Sequence, residues 1–360
     1  MKTSILILCT FLAAAVHAQT DADQAWVQIE SLRKGPGTPP KDAPEEAVRM
    51  ARAHLARQEA ALAEFLVKFP DDPRRFGAGI ELAGVSSALG ASLSDRQRVE
   101  KSLQRLAAIE QSESAPSKHR ADAAFQRITT TMQTINLAEA ARPGEADRAR
   151  NTILKAAGNF AARYPEDRRA ARLLAEVATL LDDQPARKRG VLEQAAGLAR
   201  DDGTRQRIAD DLKRLDLLGK APDLDFATLQ GEKFSLAAQR GRVVVLIFWA
   251  GWSPPSVAWL ADFSAFARKA PSDRVAVATV SLDRSKGNAE KTLQVLKIGD
   301  WPTSCDGRGW DNAIARRFGV NALPTVFIFD TEGRLRALNA RENYQSVLRQ
   351  LLAEKPPVRR

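Results

Sequence analysis

The sequence predicts two domains: an all-α domain of helical hairpins, solenoid-like, followed by an α/β domain on a mainly parallel sheet. Three observations carry this. Residues 45 to about 216 are rich in Ala, Leu, Arg and Glu, and apolar residues recur three and four apart, as Leu55, Leu62, Phe65, Leu66 and Phe69 do. That is helical spacing. After Gly219 come three short, nearly continuous apolar runs: VVVLIFWA (243–250), VAVATVSL (275–282) and TVFIFD (325–330). Such runs fit strands buried on both faces. Helical stretches at 256–270, 288–296 and 311–318 alternate with them, which indicates parallel α/β packing.

The elements follow in order. MKTSILILCTFLAAAVHA has one cation (Lys2), an apolar run over 5–16 and a small-residue site at Val16-x-Ala18. This is the pattern of a secretory signal peptide, residues 1–18, cleaved after Ala18. A periplasmic or secreted protein is expected, with no membrane span after cleavage. Cys9 lies inside the leader, so Cys305 is left without an intrachain disulfide partner. Residues 19–44 end in glycine and proline and read as a linker.

The helical domain, 45–216, holds about eight helices broken near 70–73, 114–116, 142–144, 165, 183–185 and 201–203. It contains an internal repeat. FLVKFPDDPRRFGAGIELA from Phe65 is matched by FAARYPEDRRAARLLAEVA from Phe160, in the order aromatic, proline, acid pair, Arg-Arg. Two four-helix units, similar to tetratricopeptide hairpins, fit that spacing and would offer a concave surface to a protein partner. His54 and His119 each stand alone on helical stretches and read as polar surface or satisfied core residues. Cys/His ligand spacing is absent, so no metal is expected. The net charge is +10, but the basic residues are interleaved with acids. Without a basic stripe and interleaved aromatics, nucleic acid is not an expected partner.

The chemistry should lie in FWAGWSPPS (248–256), where the first strand runs into a turn with two prolines and a serine on either side. Neither serine has an evident activating base: no histidine follows His119, and no Ser-x-x-Lys starts at Ser253. Ser253 is suited to cap the next helix, with Pro254 in its first turn. DGRGWDN (306–312) is glycine-rich but lacks nucleotide-loop spacing, and no cofactor is expected.

The segment GKAPDLDFATLQGEKFSLAAQRGRVVVLIFWAGWSPPS resembles the start of a thioredoxin-fold domain of the TlpA/ResA and AhpC/TSA type. WPTSCDGRGWDNAIARRFGV and FGVNALPTVFIFDTEGRL are similar to that family's inserted strand and helix and to its cis-proline segment. The resemblance covers roughly 217–350. It implies a thioredoxin-like domain at 217–352 followed by a basic tail at 353–360, with the cis-proline at Pro324. It also implies that Ser253, Pro254, Pro255 and Ser256 stand where the family carries its Cys-x-x-Cys. The family's first thiolate attacks a disulfide and its second cysteine resolves the product, which hydroxyls cannot do. Two further positions, polar or acidic in active relatives, are Ile247 and Trp259 here. The resemblance therefore implies a redox-inactive member whose groove of Trp252, Leu323, Pro324 and the serine turn binds a protein or peptide by strand addition. Two alternatives stay open. One is a thiol-dependent oxidoreductase or peroxidase using Cys305, expected toward the sheet edge and away from the serine turn. The other is a scaffold led by the helices.

Overall fold

The computed structural model of the chain describes residues 20–38, 43–138 and 145–354. The signal-peptide residues, the break at 142–144 and the tail from 355 lie outside these. The chain forms two compact units divided between Pro165 and Glu166.

In the first unit residues 20–32 are helical (α1), followed by α2 (Pro44–Lys68), α3 (Arg75–Leu93), α4 (Arg96–Gln111), α5 (Ser117–Ala138) and α6 (Glu145–Arg163). From α2 onward, each helix packs on the next. The expected linker is thus corrected over 20–32. Ala22 and Ile29 of α1 are buried against Leu62, Phe65 and Leu82. Arg33 pairs with Glu81 at 2.6 Å, and Arg74 pairs with Asp23 at 2.9 Å while lying over the Trp26 ring. Gly35, Pro36 and Gly37 follow a docked helix. A further break, at Ser94–Asp95, had no proline or glycine to announce it. Ser94 takes a left-handed conformation (φ 57°), and Asp95 accepts the Arg98 N–H at 3.0 Å to start α4.

α3 is long and apolar enough by composition to cross a membrane. Its small residues let it pack closely in this fold: Ala78, Gly79, Leu82, Ala83 and Leu89 are buried between neighbouring helices. His54 is buried and His119 half-buried, and Nδ1 of both lacks a hydrogen-bond partner among the described residues.

The repeat recurs as geometry. Asp72 accepts from the Arg74 N–H, Nε and Nη2 at 2.8, 2.8 and 2.7 Å; Asp167 accepts from the same atoms of Arg169 at 2.9, 2.9 and 2.6 Å. Phe65–Phe69 and Phe160–Tyr164 show the same ring separation, 5.3 Å, and the same tilt, 51°.

The second unit opens with α7 (Arg169–Val177), a short 3₁₀ turn, α8 (Pro185–Leu198) and α9 (Asp202–Asp216). Among the described residues eight α-helices, α2 to α9, thus lie between α1 and the sheet. A hairpin follows, β1 (Asp225–Ala227) and β2 (Lys233–Ser235), then β3 (Val243–Trp249), α10 (Pro254–Ala267), β4 (Val275–Ser281), α11 (Lys286–Leu296), β5 (Thr303–Ser304), α12 (Ala313–Arg317), β6 (Thr325–Phe329), β7 (Leu335–Ala337) and α13 (Tyr344–Ala353). The five-stranded sheet has the order β5-β4-β3-β6-β7. It is mixed, not mainly parallel: β3–β4 and β4–β5 are parallel, β3–β6 and β6–β7 antiparallel. A continuous apolar run reports that both faces are covered, and carries no information on strand direction. Every residue of β3 is buried. Val243, Val245, Ile247 and Trp249 pack on one core with Leu260 and Phe263, while Phe248 meets Phe318 and Phe327 on the other face. The sheet edges are partly occupied: Gly219 N–H donates to Leu335 O, and Leu229 N–H donates to Thr303 O, both at 2.8 Å.

The change from helices to strands comes where the sequence places it, after Asp216. The compact unit begins earlier, because α9 is fastened to the segment before β6. Arg214 donates to Asn321 Oδ1 (2.9 Å), Asn321 Nδ2 donates to Asp211 (3.0 Å), and Lys213 Nζ donates to Arg316 O (2.9 Å). Gly319 sits at φ +64°, and a Cβ there would lie 2.5 Å from Asp210 O, so only glycine permits this approach.

Candidate functional site

β3 and β4 end side by side, with Leu282 N–H donating to Trp249 O at 2.7 Å. The chain then turns at Gly251, whose N–H faces both carboxylate oxygens of Asp283 at 3.2 and 3.0 Å. Asp283 is buried and also accepts from Ser281 Oγ at 2.8 Å. Thr292 Oγ1 would stand 2.7 Å from a Cβ at position 251.

α10 starts as the sequence indicates, with Ser253 in the capping position (φ −103°, ψ 99°) and Pro254 in the first turn. The side chain, however, makes no cap bond. A capping hydroxyl ordinarily takes the N–H two or three residues on. Here the first of these belongs to Pro255, which has none, and the second, on Ser256, donates to Ser253 O at 2.9 Å. Instead, Ser256 Oγ donates to Ser253 Oγ at 3.0 Å. Ser253 is 8% exposed and Ser256 0%. Among the described residues no ionisable side chain bonds either hydroxyl.

Phe248 is opposite Thr325, so Pro324 emerges at the sheet end where the serine turn lies. The Leu323–Pro324 bond is cis, as the resemblance implies. Leu323 and Pro324 line a cleft of about 630 Å³ whose other walls are α7, α9 and the turn after β7. Trp252 and the serines are not among its lining residues. Trp252 is 54% exposed and stands 6.2 Å from Trp310, ring to ring. The anticipated groove residues thus share one end of the sheet but form two surfaces, a cleft at Leu323–Pro324 and an aromatic pair at Trp252.

Cys305 follows the edge strand β5, as expected, and is 5% exposed. It is less remote from the turn than expected: its Sγ lies 3.5 Å from Asp283 O, and the Asp283 carboxylate holds Gly251. Ile247 is fully buried between Thr279 and Val326 in register. Trp259 stacks on Phe263 (4.9 Å) and donates to Arg341 O (2.9 Å). Both side chains are built into packing. Sequence reasoning missed Asp283, although an acid directly after a parallel strand marks the sheet end where sites gather. It also missed the wall supplied by α7 and α9.

A model of the AhpC/TSA family matches residues 218–338. This segment is a TlpA/ResA-like thioredoxin-fold domain. The thioredoxin-like domain is 28% identical over 110 residues to sporulation thiol-disulfide oxidoreductase A of Bacillus subtilis, covering 30% of this chain and 64% of that protein. It is 25% identical over 118 residues to the thiol-disulfide oxidoreductase ResA of Geobacillus thermodenitrificans, covering 33% and 66%. The chain spans a little under two thirds of each. Among solved structures, a C-terminal domain of a thiol-disulfide oxidoreductase from Bacteroides thetaiotaomicron is 21% identical, with a TM-score of 0.36, covering 38% of this chain and 97% of that one. Within the matched segment lie the cis Leu323–Pro324 bond and the turn of Ser253, Pro254, Pro255 and Ser256.

Proposed function

We propose that this chain is an exported thioredoxin-like protein that does not catalyse dithiol–disulfide exchange and binds an extended polypeptide without a covalent step. The observation that carries this reading is the Ser253–Ser256 pair: two buried hydroxyls bonded to each other, with no base hydrogen-bonded to either among the described residues. A hydroxyl forms no disulfide, so nucleophile and resolving group are both missing. The N–H and C=O of Leu323, before the cis-proline, take part in no main-chain hydrogen bond among the described residues. They are free to pair with an added strand, which supplies affinity through the backbone. Export rests on the leader-like pattern of residues 1–18.

Reduction of insulin by dithiothreitol, followed by turbidity, tests the reading. The wild-type chain should match a Cys305→Ala variant and a no-protein control. Turnover clearly above both would overturn it. The oxidoreductase alternative through Cys305 is disfavoured by that thiol's burial in the apolar core, since reactive thiols sit in accessible, electropositive surroundings.

A further inference from the structure

We propose that the cleft beside the Leu323–Pro324 bond selects an extended peptide carrying an acidic side chain, held by Arg172 and Arg207. This rests on the reading of Leu323 as a peptide-pairing edge. The cleft lies wholly within the second unit, with the free main chain of Leu323 on one wall and Arg172 of α7 and Arg207 of α9 on the other.

The charges in the cleft decide the ligand's sign. Three of its carboxylates are already engaged. Asp182 pairs with Lys188 and accepts from Asn339 at 3.4 Å, Asp211 is held by Arg214 and Asn321, and Asp201 accepts the Thr204 N–H at 2.8 Å. Arg341 is matched by Glu342 at 2.9 Å. Among the described residues Arg172 and Arg207 form no ion pair, and Glu176, one helical turn from Arg172, is not within pairing distance of it. The cleft side chains without an ion-pair partner are therefore Arg172, Arg207, Glu176 and Asp201. Asp201 is spent on the N-terminus of α9, whose dipole opposes its charge, which leaves two guanidinium groups against Glu176 for a ligand. Guanidinium forks match carboxylate geometry, and both arginines are exposed, so no desolvated cation has to be uncovered. A peptide seated along Leu323 as an added strand projects alternate side chains to one side, where an acid would meet these arginines.

The test uses the full chain and three fluorescein-labelled peptides identical but for a central Glu, Gln or Lys, with binding read by fluorescence anisotropy at low salt. The Glu peptide should bind about tenfold more tightly than the Gln peptide, the scale of one partly screened charge-assisted contact, and the Lys peptide more weakly still. Arg172→Gln with Arg207→Gln should abolish the preference for Glu. Arg172→Glu with Arg207→Glu should favour the Lys peptide, and circular dichroism confirms that both variants fold. Equal binding of all three peptides, or a preference that survives the double Gln variant, overturns the acidic selectivity alone. Binding of none of them removes the peptide reading and this proposal with it.

Discussion

Ser253 and Ser256 satisfy each other's buried hydroxyls across 3.0 Å, and that separation makes their replacement informative. Ser253→Cys with Ser256→Cys places two sulfurs where a short side-chain bridge can close. The double variant should oxidise in air, seen as the loss of two hydrogens by mass spectrometry and of two titratable thiols. It should remain a poor catalyst, because Ile247 and Trp259 offer no proton-carrying group. Asp283 is the residue on which the turn depends. Asp283→Ala leaves the Gly251 N–H without its acceptor at a buried site, and urea unfolding should show a loss of about 1–3 kcal/mol. Cys305, packed in the core beside that turn, should react with Ellman's reagent at the rate of local opening in native buffer and rapidly in urea. The serines were legible because residue identity is read directly from the sequence. Asp283 was not, because its role depends on β4 ending next to β3, which only pairing establishes.

Among the elements, the two Asp-x-Arg turns before α3 and α7 show best what a short repeat encodes. In each, the arginine's side chain and main chain close on one carboxylate, and this holds the carboxyls of Asp72 and Asp167 below their ordinary value of 3.8. Depressed carboxyls stabilise the fold at pH above the unfolded value and lose that contribution as pH falls through the folded one. Asp72→Asn should therefore destabilise by about 1–2 kcal/mol at neutral pH. The gap from wild type in thermal or urea unfolding should hold down to about pH 5 and shrink below it. Quoted as FPDDPRR and YPEDRRA, the repeat was visible because turn chemistry is local. Strands β3, β4 and β6 were visible through their apolar runs. The direction of β6 and the docking of α1 were not: both rest on partners far along the chain, such as Glu81 for Arg33.

For the whole molecule, secondary structure and compactness divide the chain at different places. The sheet begins after Asp216, yet α7 to α9 belong to the same compact unit as the sheet. A fragment starting at 217 would lose Arg214, Asp211 and Lys213, the partners of Asn321 and Arg316, and would expose the surface around Gly319. It should melt several degrees below a fragment starting at 166, since a loss of about 1 kcal/mol already shifts the midpoint of a domain this size by some 2–4 °C. The sequence pattern could not reveal this, because helical periodicity shows that α9 has an apolar face and says nothing of the loop its polar side chains reach. Asn321 is gripped at both ends of its amide by one helix, three residues before the cis-proline. Fraying of α9 and release of the segment before β6 should then be a single opening event. In native-state hydrogen exchange, the central amides of α9 and those of Ala322 and Leu323 should share one opening free energy, and Asn321→Ala should split it in two.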